Sequence, residues 1–410
     1  MNVHTQPSPE TPVFNPFSPE FLADPYPAYA QLRANAPMLK TPLEFWVASR
    51  HADVAEVLKS KTFGKDFEGR WSKRYDTDFR DEPALYSLSL NMLSLNPPDH
   101  TRVRGLVAKA FTPRIVESWR PRVEQLVDEL LDEAMEWGGM DIATEFAHRL
   151  PVHVICDMLG IPAEDRGQFL ERSRVSGRVV DPTPMSRQEL DDANENSLYM
   201  RSYFEDLCAR RRADPQDDLT TVLVQAEEDG ERLSADELYA NIILLFAAGH
   251  ETTANLIGNG MLALHRNPDQ LDLLRRGDVD WADVVEELLR YDSSVQLTGR
   301  VALQDTELGG QELAAGESVV ALLGSANRDP DAYDDPDRLD VTRAGIRAMS
   351  FGGGIHICLG AQLTRLEGQV AFRRLFERLP DLRLDPDDLE NPKWRQTITL
   401  RGLTQLKATW

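Results

Sequence analysis

The stretch FGGGIHICLG (351–360) places one cysteine, one histidine and four glycines within ten positions. Cys358 is one of only three cysteines among 410 residues. The run that follows, AQLTRLEGQVAFRRLFERL (361–379), has the apolar spacing of a helix. We therefore expect Cys358 to lie just before a helix N-terminus, where exposed N–H groups and the helix dipole lower the pKa of a thiol.

Four kinds of site can contain a cysteine in such a loop. A dinucleotide phosphate loop requires G-x-G-x-x-G, and Ile357 occupies the last glycine position. Zinc requires four ligands, or three and a water, and the nearest other cluster (His148, His153 and Cys156) has the spacing of an ordinary amphipathic helix. A nucleophilic cysteine requires a histidine base, which no motif indicates. A single thiolate among glycines, which let a flat cofactor approach closely, best suits an axial ligand of haem iron.

Composition excludes several classes of function. The chain has a formal net charge of −23, a pI of about 4.8 and 41% apolar residues. Excess acid repels phosphate backbones and anionic lipids, so we expect no nucleic-acid binding. The N-terminus has no secretory signal and no run reaches the ~18 apolar residues of a spanning helix, so we expect no membrane association. Three widely spaced cysteines predict a reducing cytoplasm.

Helical periodicity dominates the chain, as in 123–137 and 198–212. The polar stretches 181–197 and 213–218 are interpreted as loops. Strand patterns are confined to 45–49 and to 295–322, where Gly309-Gly310 predicts a hairpin turn. No repeat or Gly/Ser-rich linker divides the chain. We expect one domain over 1–410, mainly α with a small β region.

One long helix is predicted between two clear signals. Ser234 and Glu237 form a capping box, and Asn267-Pro268 ends the apolar periodicity after Arg266. The helix would span about 50 Å. Its apolar centre is interrupted by AAGHETTAN (247–255), where Thr252 can bond the carbonyl of Ala248. This segment alone leaves two explanations open, a functional site or a polar patch at a helix crossing.

Four motifs in order resemble the cytochrome P450 family over nearly the whole chain. They are the cysteine loop (351–360), the E-x-x-R motif ELLR (287–290), AGHETT (248–253) in the long helix, and Asp337-Arg338. NPPDHTRVR (96–104) and WRQTITLRGL (394–403) resemble soluble bacterial members. The resemblance implies a cytochrome P450 fold, with haem between the long helix and the cysteine loop with its following helix.

The resemblance also implies a cofactor, haem b, and residues that hold it. Cys358 would be the iron ligand, with Phe351 and Gly354 in its signature loop. The propionates would be bound by His100, Arg104, Arg300 and His356. A buried ion network of Glu287, Arg290 and Arg338 would support the haem from below. Two residues depart from the common pattern: Ser294, where many relatives have proline, and Ala348, where many have histidine.

The activity implied is that of a monooxygenase, which inserts one atom of O2 into a hydrophobic substrate. Thr252 and Glu251 would deliver protons, which explains the polar interruption of the long helix. Electrons would come from NAD(P)H through a separate ferredoxin or flavodoxin with its reductase. Two alternatives are a peroxide-driven peroxygenase, whose members tend to lack the Glu-Thr pair, and a non-catalytic haem sensor or carrier.

Family position also indicates the substrate pocket and the partner surface. A fatty acid, terpenoid, steroid or macrolide would suit the mostly aliphatic pocket, and a monomer is expected. The predicted pocket residues are Ile243, Leu244, Ala247, Ala248, Val295, Leu297 and Ile398. The predicted docking residues for an acidic electron donor are Arg102, Lys109, Arg347, Arg373 and Arg374.

Overall fold

The computed structural model describes residues 14–66, 77–180, 185–226 and 231–410. Helices dominate these ranges, as predicted. Those before the long helix are Pro19–Ala23, Tyr26–Asn35, His51–Lys59, Pro83–Ser89, Asp99–Ala108, Pro113–Ser118, Arg120–Met135, Arg149–Met158, Arg166–Val180, Arg187–Ala213 and Leu219–Gln225. The remainder are Ala235–Arg266, Pro268–Arg276, Trp281–Tyr291, Leu323–Ala326, Ala361–Arg378 and Pro386–Glu390.

The longest helix, Ala235–Arg266, is called the central helix below. Its N-cap is Ser234, whose hydroxyl accepts from the Glu237 N–H while the Glu237 carboxylate accepts from the Ser234 N–H. Its C-cap is Asn267. Both predicted ends are therefore confirmed, because each depends on short-range hydrogen bonds that the local sequence encodes.

The interpretation of 181–197 as a loop is wrong for its second half. A capping box of Ser186 and Glu189 begins the helix Arg187–Ala213, and Leu190 and Ala193 lie on its buried face. The polar residues between them are the solvated side of an amphipathic helix. Residues 181–184 lie outside the described residues.

Both predicted strand regions, 45–49 and 295–322, contain strands, but the sequence prediction missed further short strands in 38–40, 63–64, 139–141 and 383–409. The strands are β1 Met38–Lys40, β2 Trp46–Ala48, β3 Phe63–Gly64, β4 Gly139–Asp141, β5 Leu297–Ala302, β6 Thr306–Leu308, β7 Gln311–Leu313, β8 Ser318–Leu322, β9 Arg383–Leu384, β10 Lys393–Trp394, β11 Leu403–Gln405 and β12 Lys407–Thr409. The main sheet has the order β1-β2-β8-β5-β3. Gly309 and Gly310, at φ 54° and 77°, turn β6 into β7.

The central helix runs through the main apolar core. Beside it lies Ala361–Arg378, called the cysteine helix because it follows Cys358. The two helices approach closely at Gly260, where an added Cβ would lie 2.6 Å from a ring carbon of Phe372. No helix in the described ranges is long and apolar enough to cross a membrane.

Candidate active site

The cysteine loop is held against the helix His51–Lys59. Gly354 has φ 64°, and a Cβ on it would lie 2.1 Å from the Leu58 carbonyl oxygen. Only glycine fits there, because both the backbone conformation and the space exclude a side chain. The N–H of Cys358 donates to the carbonyl of Phe351 over 2.9 Å and closes the loop. Cys358 thus occupies a fixed position two residues before Gly360, the N-cap of the cysteine helix.

The Cys358 side chain is exposed, although protein atoms lie close around its thiol. Burial raises the pKa of this thiol above its ordinary value. The N–H groups of Gly360 and Ala361 and the charges of Arg104 and Arg365 act in the opposite direction without outweighing burial. The lowered pKa expected from the helix terminus is therefore wrong in direction for the thiol, because the helix signal ignores desolvation.

Two histidines meet beside the loop. The rings of His100 and His356 lie 4.3 Å apart, and the Nε2 atom of each is buried without a hydrogen-bond partner in the described structure. Burial and the positive charges of Lys65, Arg300 and Arg104 lower the pKa of both, that of His356 to about 2. The charges that act on this pair are all positive, so the environment is built for an anion.

The arginines of this cluster are positioned by the backbone around it. Arg104 donates to the carbonyl of Ile357 over 2.6 Å. Arg300, on β5, donates to its neighbour Gly299 over 2.9 Å, and the Lys65 ammonium donates to the same carbonyl over 3.3 Å. Three cations and two imidazoles near one thiol suit a cofactor that combines carboxylates with a metal able to bind a thiolate.

The E-x-x-R pair forms a buried network. Glu287 and Arg290 are both fully buried and share two hydrogen bonds, of 2.7 and 2.8 Å. The second guanidinium on Glu287 belongs to Arg343, at 3.3 Å. Arg338, the predicted third partner, is exposed and contributes only its carbonyl oxygen, which accepts from Arg290 over 3.1 Å. The prediction of Arg338 is corrected to Arg343, because the loop turns the Arg338 side chain outward.

The central helix leaves one face uncovered by protein. Most of its residues are buried, but Ile243, Ala247 and Thr252 are half-buried and Ala248 is exposed. Ala248 and Thr252 are one turn apart and define the uncovered face, whereas Ile243 points to the opposite side of the helix from Thr252. The Thr252 hydroxyl donates to the carbonyl of Ala248 over 3.2 Å, as expected.

The neighbouring acid points another way. Glu251 is 9% exposed, and its carboxylate accepts from the guanidinium of Arg395 over 2.5 Å. Arg395 is positioned by its own N–H, which donates to the carbonyl of Gly402 over 2.9 Å. The acid and the alcohol therefore lie side by side on the helix, and a basic residue from the β10–β11 connection fixes the acid.

A family model for cytochrome P450 matches residues 41–276 and 282–406. The chain belongs to the cytochrome P450 family. A putative cytochrome P450 133B1 of Xylella fastidiosa is 40% identical over 389 residues, covering 95% of this chain and 96% of its own. The vitamin D(3) 25-hydroxylase of Pseudonocardia autotrophica is 42% identical, over 96% and 95% of the two chains.

A solved structure agrees with the fold. P450BioI, in complex with an acyl carrier protein ligated to hexadec-9Z-enoic acid, is 36% identical to this chain with a TM-score of 0.88. The match covers 96% of this chain and all of that one. The protein is thus a cytochrome P450 monooxygenase with a haem-thiolate cofactor, as its family implies.

Several predicted pocket residues of this P450 differ in exposure. Leu244 and Leu297 are 8% and 5% exposed and pack within apolar clusters. Val295 and Ile398 are half-buried, Val295 beside a separate apolar cluster and Ile398 beside the cluster that contains Leu297. On the central helix, Ile243 and Ala247 are half-buried and Ala248 is exposed.

The sequence prediction missed three residues of this site. Lys65 and Arg343 reach it from segments that the quoted motifs do not include, whereas Arg395 reaches it from within one of them. Lys65 follows the short strand β3, and Arg395 follows β10. Of these three residues, only Arg395 could have been found from the sequence, because it lies within the quoted motif WRQTITLRGL.

Proposed function

We propose that this P450 binds haem b through Cys358 as the only protein ligand to iron and hydroxylates a hydrophobic substrate with O2. The observation that carries the proposal is the cation cluster beside the fixed thiol of Cys358. When bound, the haem supplies the site where O2 is activated, and electron donation from a thiolate promotes O–O cleavage. Phe351 and Gly354 hold the loop in the conformation that presents the sulfur.

The propionates are assigned to the cation cluster. His100 and His356 present buried Nε2 atoms as hydrogen-bonding groups, and Arg104, Arg300 and Lys65 supply positive charge. Two carboxylates bound there would compensate charges that otherwise repel one another. Glu287, Arg290 and Arg343 hold the segment 336–340 in place and take no part in the reaction.

Proton delivery is assigned to Thr252 and Glu251. Thr252 lies on the uncovered face of the central helix, where its hydroxyl can leave the Ala248 carbonyl to bond oxygen. Glu251 passes protons toward it by way of water. Arg395 holds the Glu251 side chain in one orientation.

The remaining parts of the proposal concern partners. A separate ferredoxin or flavodoxin with its reductase supplies electrons from NAD(P)H to the monomer in the cytoplasm, where thiols such as Cys156 and Cys208 stay reduced. Fatty acids and steroid-like molecules are the substrate classes favoured by the relatives' names, because one is a vitamin D(3) hydroxylase and another is solved with a fatty-acyl carrier protein.

The test compares wild type with matched variants in a reconstituted system. Reduced wild type with CO should give the strongly red-shifted Soret band of a thiolate complex, and Cys358→Ala should lose it. Thr252→Ala should bind substrate normally but release peroxide in place of product. Thr253→Ala is the control, because that buried hydroxyl bonds Thr364 over 3.2 Å and faces away from the site. Glu251→Gln should slow turnover about 10²-fold or more.

Three results would contradict the proposal. A wild-type spectrum of histidine ligation would reject Cys358. Unchanged coupling in Thr252→Ala and Glu251→Gln would mean that protons arrive elsewhere. Product formed with peroxide alone, at the rate of the complete system, would indicate a peroxygenase, and no product under either condition would indicate a haem sensor or carrier.

A further inference from the structure

The acid of the acid–alcohol pair is linked to solvent through one basic side chain. The Glu251 carboxylate accepts from the Arg395 guanidinium, and the exposed fractions of the two side chains are 12% and 27%. Arg395 also lines a recess of about 270 Å³, part of it open to solvent, which we call the hairpin recess. Arg395 therefore extends from this recess to the buried acid.

The walls of the hairpin recess come from two distant parts of the chain. One wall is the helix Pro19–Ala23, and the other is the β10–β11 connection, residues 395–402. Arg401 fastens one wall to the other, because its guanidinium donates to two backbone carbonyls of that helix over 3.1 and 3.0 Å. Arg401 is thus fixed within the wall, whereas the side chain of Arg395 continues inward to the central helix.

The β10–β11 connection rests on the central helix one turn beyond Glu251. A Cβ on Gly402 would lie 1.9 Å from Oδ1 of Asn255, so the backbone approaches the helix more closely than a side chain would permit. The Gly402 carbonyl accepts from the N–H of Arg395 over 2.9 Å. These contacts fix the backbone of Arg395 beside the helix, and its long side chain is the part that can move.

The contact between Arg395 and Glu251 is built differently from the buried pair of Arg290 and Glu287. Those two residues share two hydrogen bonds and are fully buried. A single hydrogen bond, from Nη1, joins Arg395 to Glu251 in the described structure, and the buried Nε atom of Arg395 has no partner there. A guanidinium has five donors, so Arg395 can bind a water molecule of the recess and the carboxylate together. A one-point pair beside solvent is also easier to break than a two-point pair in the core.

Glu251 and Thr252 point in different directions from the central helix. Neighbouring residues on an α-helix are separated by a rotation of about 100°. The Glu251 side chain is held toward the β10–β11 connection by Arg395, and the Thr252 hydroxyl bonds the Ala248 carbonyl on the uncovered face. To serve Thr252, the carboxyl group must therefore leave Arg395 and rotate about its side-chain bonds.

We propose that Arg395 is a positioning residue that makes the hairpin recess the entrance for protons. This inference rests on the proposed function, because it names the route by which Glu251 receives its protons. While paired with Arg395, the Glu251 carboxylate takes one proton from water in the recess and becomes a carboxylic acid. Its attraction to the guanidinium, which stays protonated, then falls. The acid turns toward Thr252, passes the proton on through water and returns to Arg395 as a carboxylate.

The first test is a double-mutant cycle on the haem-containing protein, with NADPH, the reconstituted electron donor and hexadecanoate as the probe substrate. Arg395→Gln should slow oxygen consumption about fivefold or more and enlarge its solvent deuterium isotope effect. The same substitution should have no further effect in Glu251→Gln, because Arg395 acts through that acid. Arg395→Lys keeps the positive charge and should stay within about twofold of wild type.

A second measurement requires no turnover and uses a matched control. The infrared carboxyl band that Glu251→Gln removes should shift in Arg395→Gln, because that variant takes away the charged donor to Glu251. The band should keep its position in Lys393→Gln, which removes a cation from the start of the same hairpin, where Lys393 pairs with Asp388 over 3.6 Å. Arg395→Met keeps the apolar stem of the side chain and replaces Arg395→Gln if that variant does not fold.

Equal slowing by Arg395→Gln in the wild-type and Glu251→Gln backgrounds would indicate a structural role and overturn the inference. Wild-type turnover in Arg395→Gln, or an unshifted carboxyl band, would overturn it as well. The single variant Glu251→Gln separates this failure from failure of the proposed function. Slow turnover in Glu251→Gln together with normal turnover in Arg395→Gln rejects the hairpin recess alone, whereas normal turnover in Glu251→Gln rejects Glu251 as the proton donor.

Discussion

Glu287 shows how a single buried carboxylate organises distant residues. It accepts hydrogen bonds from the guanidinium of Arg290 and from the N–H of Asp340, the latter over 2.8 Å, and it pairs with Arg343. Arg343 is itself anchored by the carbonyls of Asp334 and Asp335. Both carboxylate oxygens of Glu287 therefore have hydrogen-bond or ion-pair partners, which a buried charge requires.

We predict that removing Arg343 and removing Arg338 lower the free energy of unfolding by different amounts. Arg343→Ala should lower the free energy of unfolding by about 2 kcal/mol, because it removes a charged hydrogen bond to a buried carboxylate. Arg338→Ala should change it by less than about 0.5 kcal/mol, since the backbone carbonyl remains. Urea unfolding of both variants at matched haem content checks this. Equal losses would restore Arg338 to the network.

The cysteine helix carries a second buried acid with a different environment. Glu367 is 1% exposed, and its Oε2 atom has no hydrogen-bond partner among the described residues. Burial raises the pKa of Glu367 well above its ordinary value. One turn earlier, Thr364 bonds Thr253 of the central helix, and Gly368 packs against Leu256. The helix pair thus encloses a carboxyl group whose neutral form is favoured by burial.

This raised pKa predicts how stability changes with pH. Above the unfolded-state pKa of about 4.5 the unfolded chain loses a proton that folded Glu367 keeps, so its contribution is progressively lost as pH rises toward the folded-state pKa. Glu367→Gln removes this contribution. We expect the variant to lose less thermal stability than wild type between about pH 5 and pH 8, because only wild type holds the titrating acid.

The comparison needs a control for other titrating groups. Glu377, an exposed acid near the end of the same helix, serves in Glu377→Gln. That variant should follow the wild-type pH curve. Parallel curves for all three proteins would mean that Glu367 is ionised in the folded state.

Across the whole molecule, several arginines of the predicted docking surface are paired with acidic side chains. Arg102 pairs with Glu237, Arg373 with Glu124 over 2.9 Å, and Arg374 with Asp128 over 3.7 Å. These pairs reduce the positive field that was expected to attract an acidic electron donor. Arg347 is exposed beside the cysteine loop, and its carbonyl accepts from Tyr333.

The rate of electron transfer from the donor should therefore depend more on some of these arginines than on others. First-electron transfer from an acidic ferredoxin should slow with rising salt, because the Debye length is ~10 Å at 0.1 M. Arg347→Glu should slow it more than Arg373→Glu, whose wild-type charge Glu124 already compensates. Stopped-flow reduction at low and high salt measures both. A rate indifferent to salt and to Arg347→Glu would exclude this face as the docking surface.

Local chemistry determined much of this protein from its sequence alone. The ends of the central helix follow from Ser234, Glu237 and Asn267, which act within one turn. Gly309-Gly310 determines a hairpin in the same way, because few residues adopt positive φ. Spacing of three placed Glu287 and Arg290 together, and the cysteine loop identified the family. These features need only contacts between near neighbours.

Tertiary structure decided what depends on residues far apart in the chain. Arg343 reaches Glu287 across 56 residues, and Arg395 reaches Glu251 across 144. The pKa of the Cys358 thiol is raised, not lowered as the sequence predicted. Burial depends on the whole fold, whereas the effect of the helix terminus is local. Long-range burial and pairing depend on how elements pack, and no periodicity in the sequence specifies which side chain meets which.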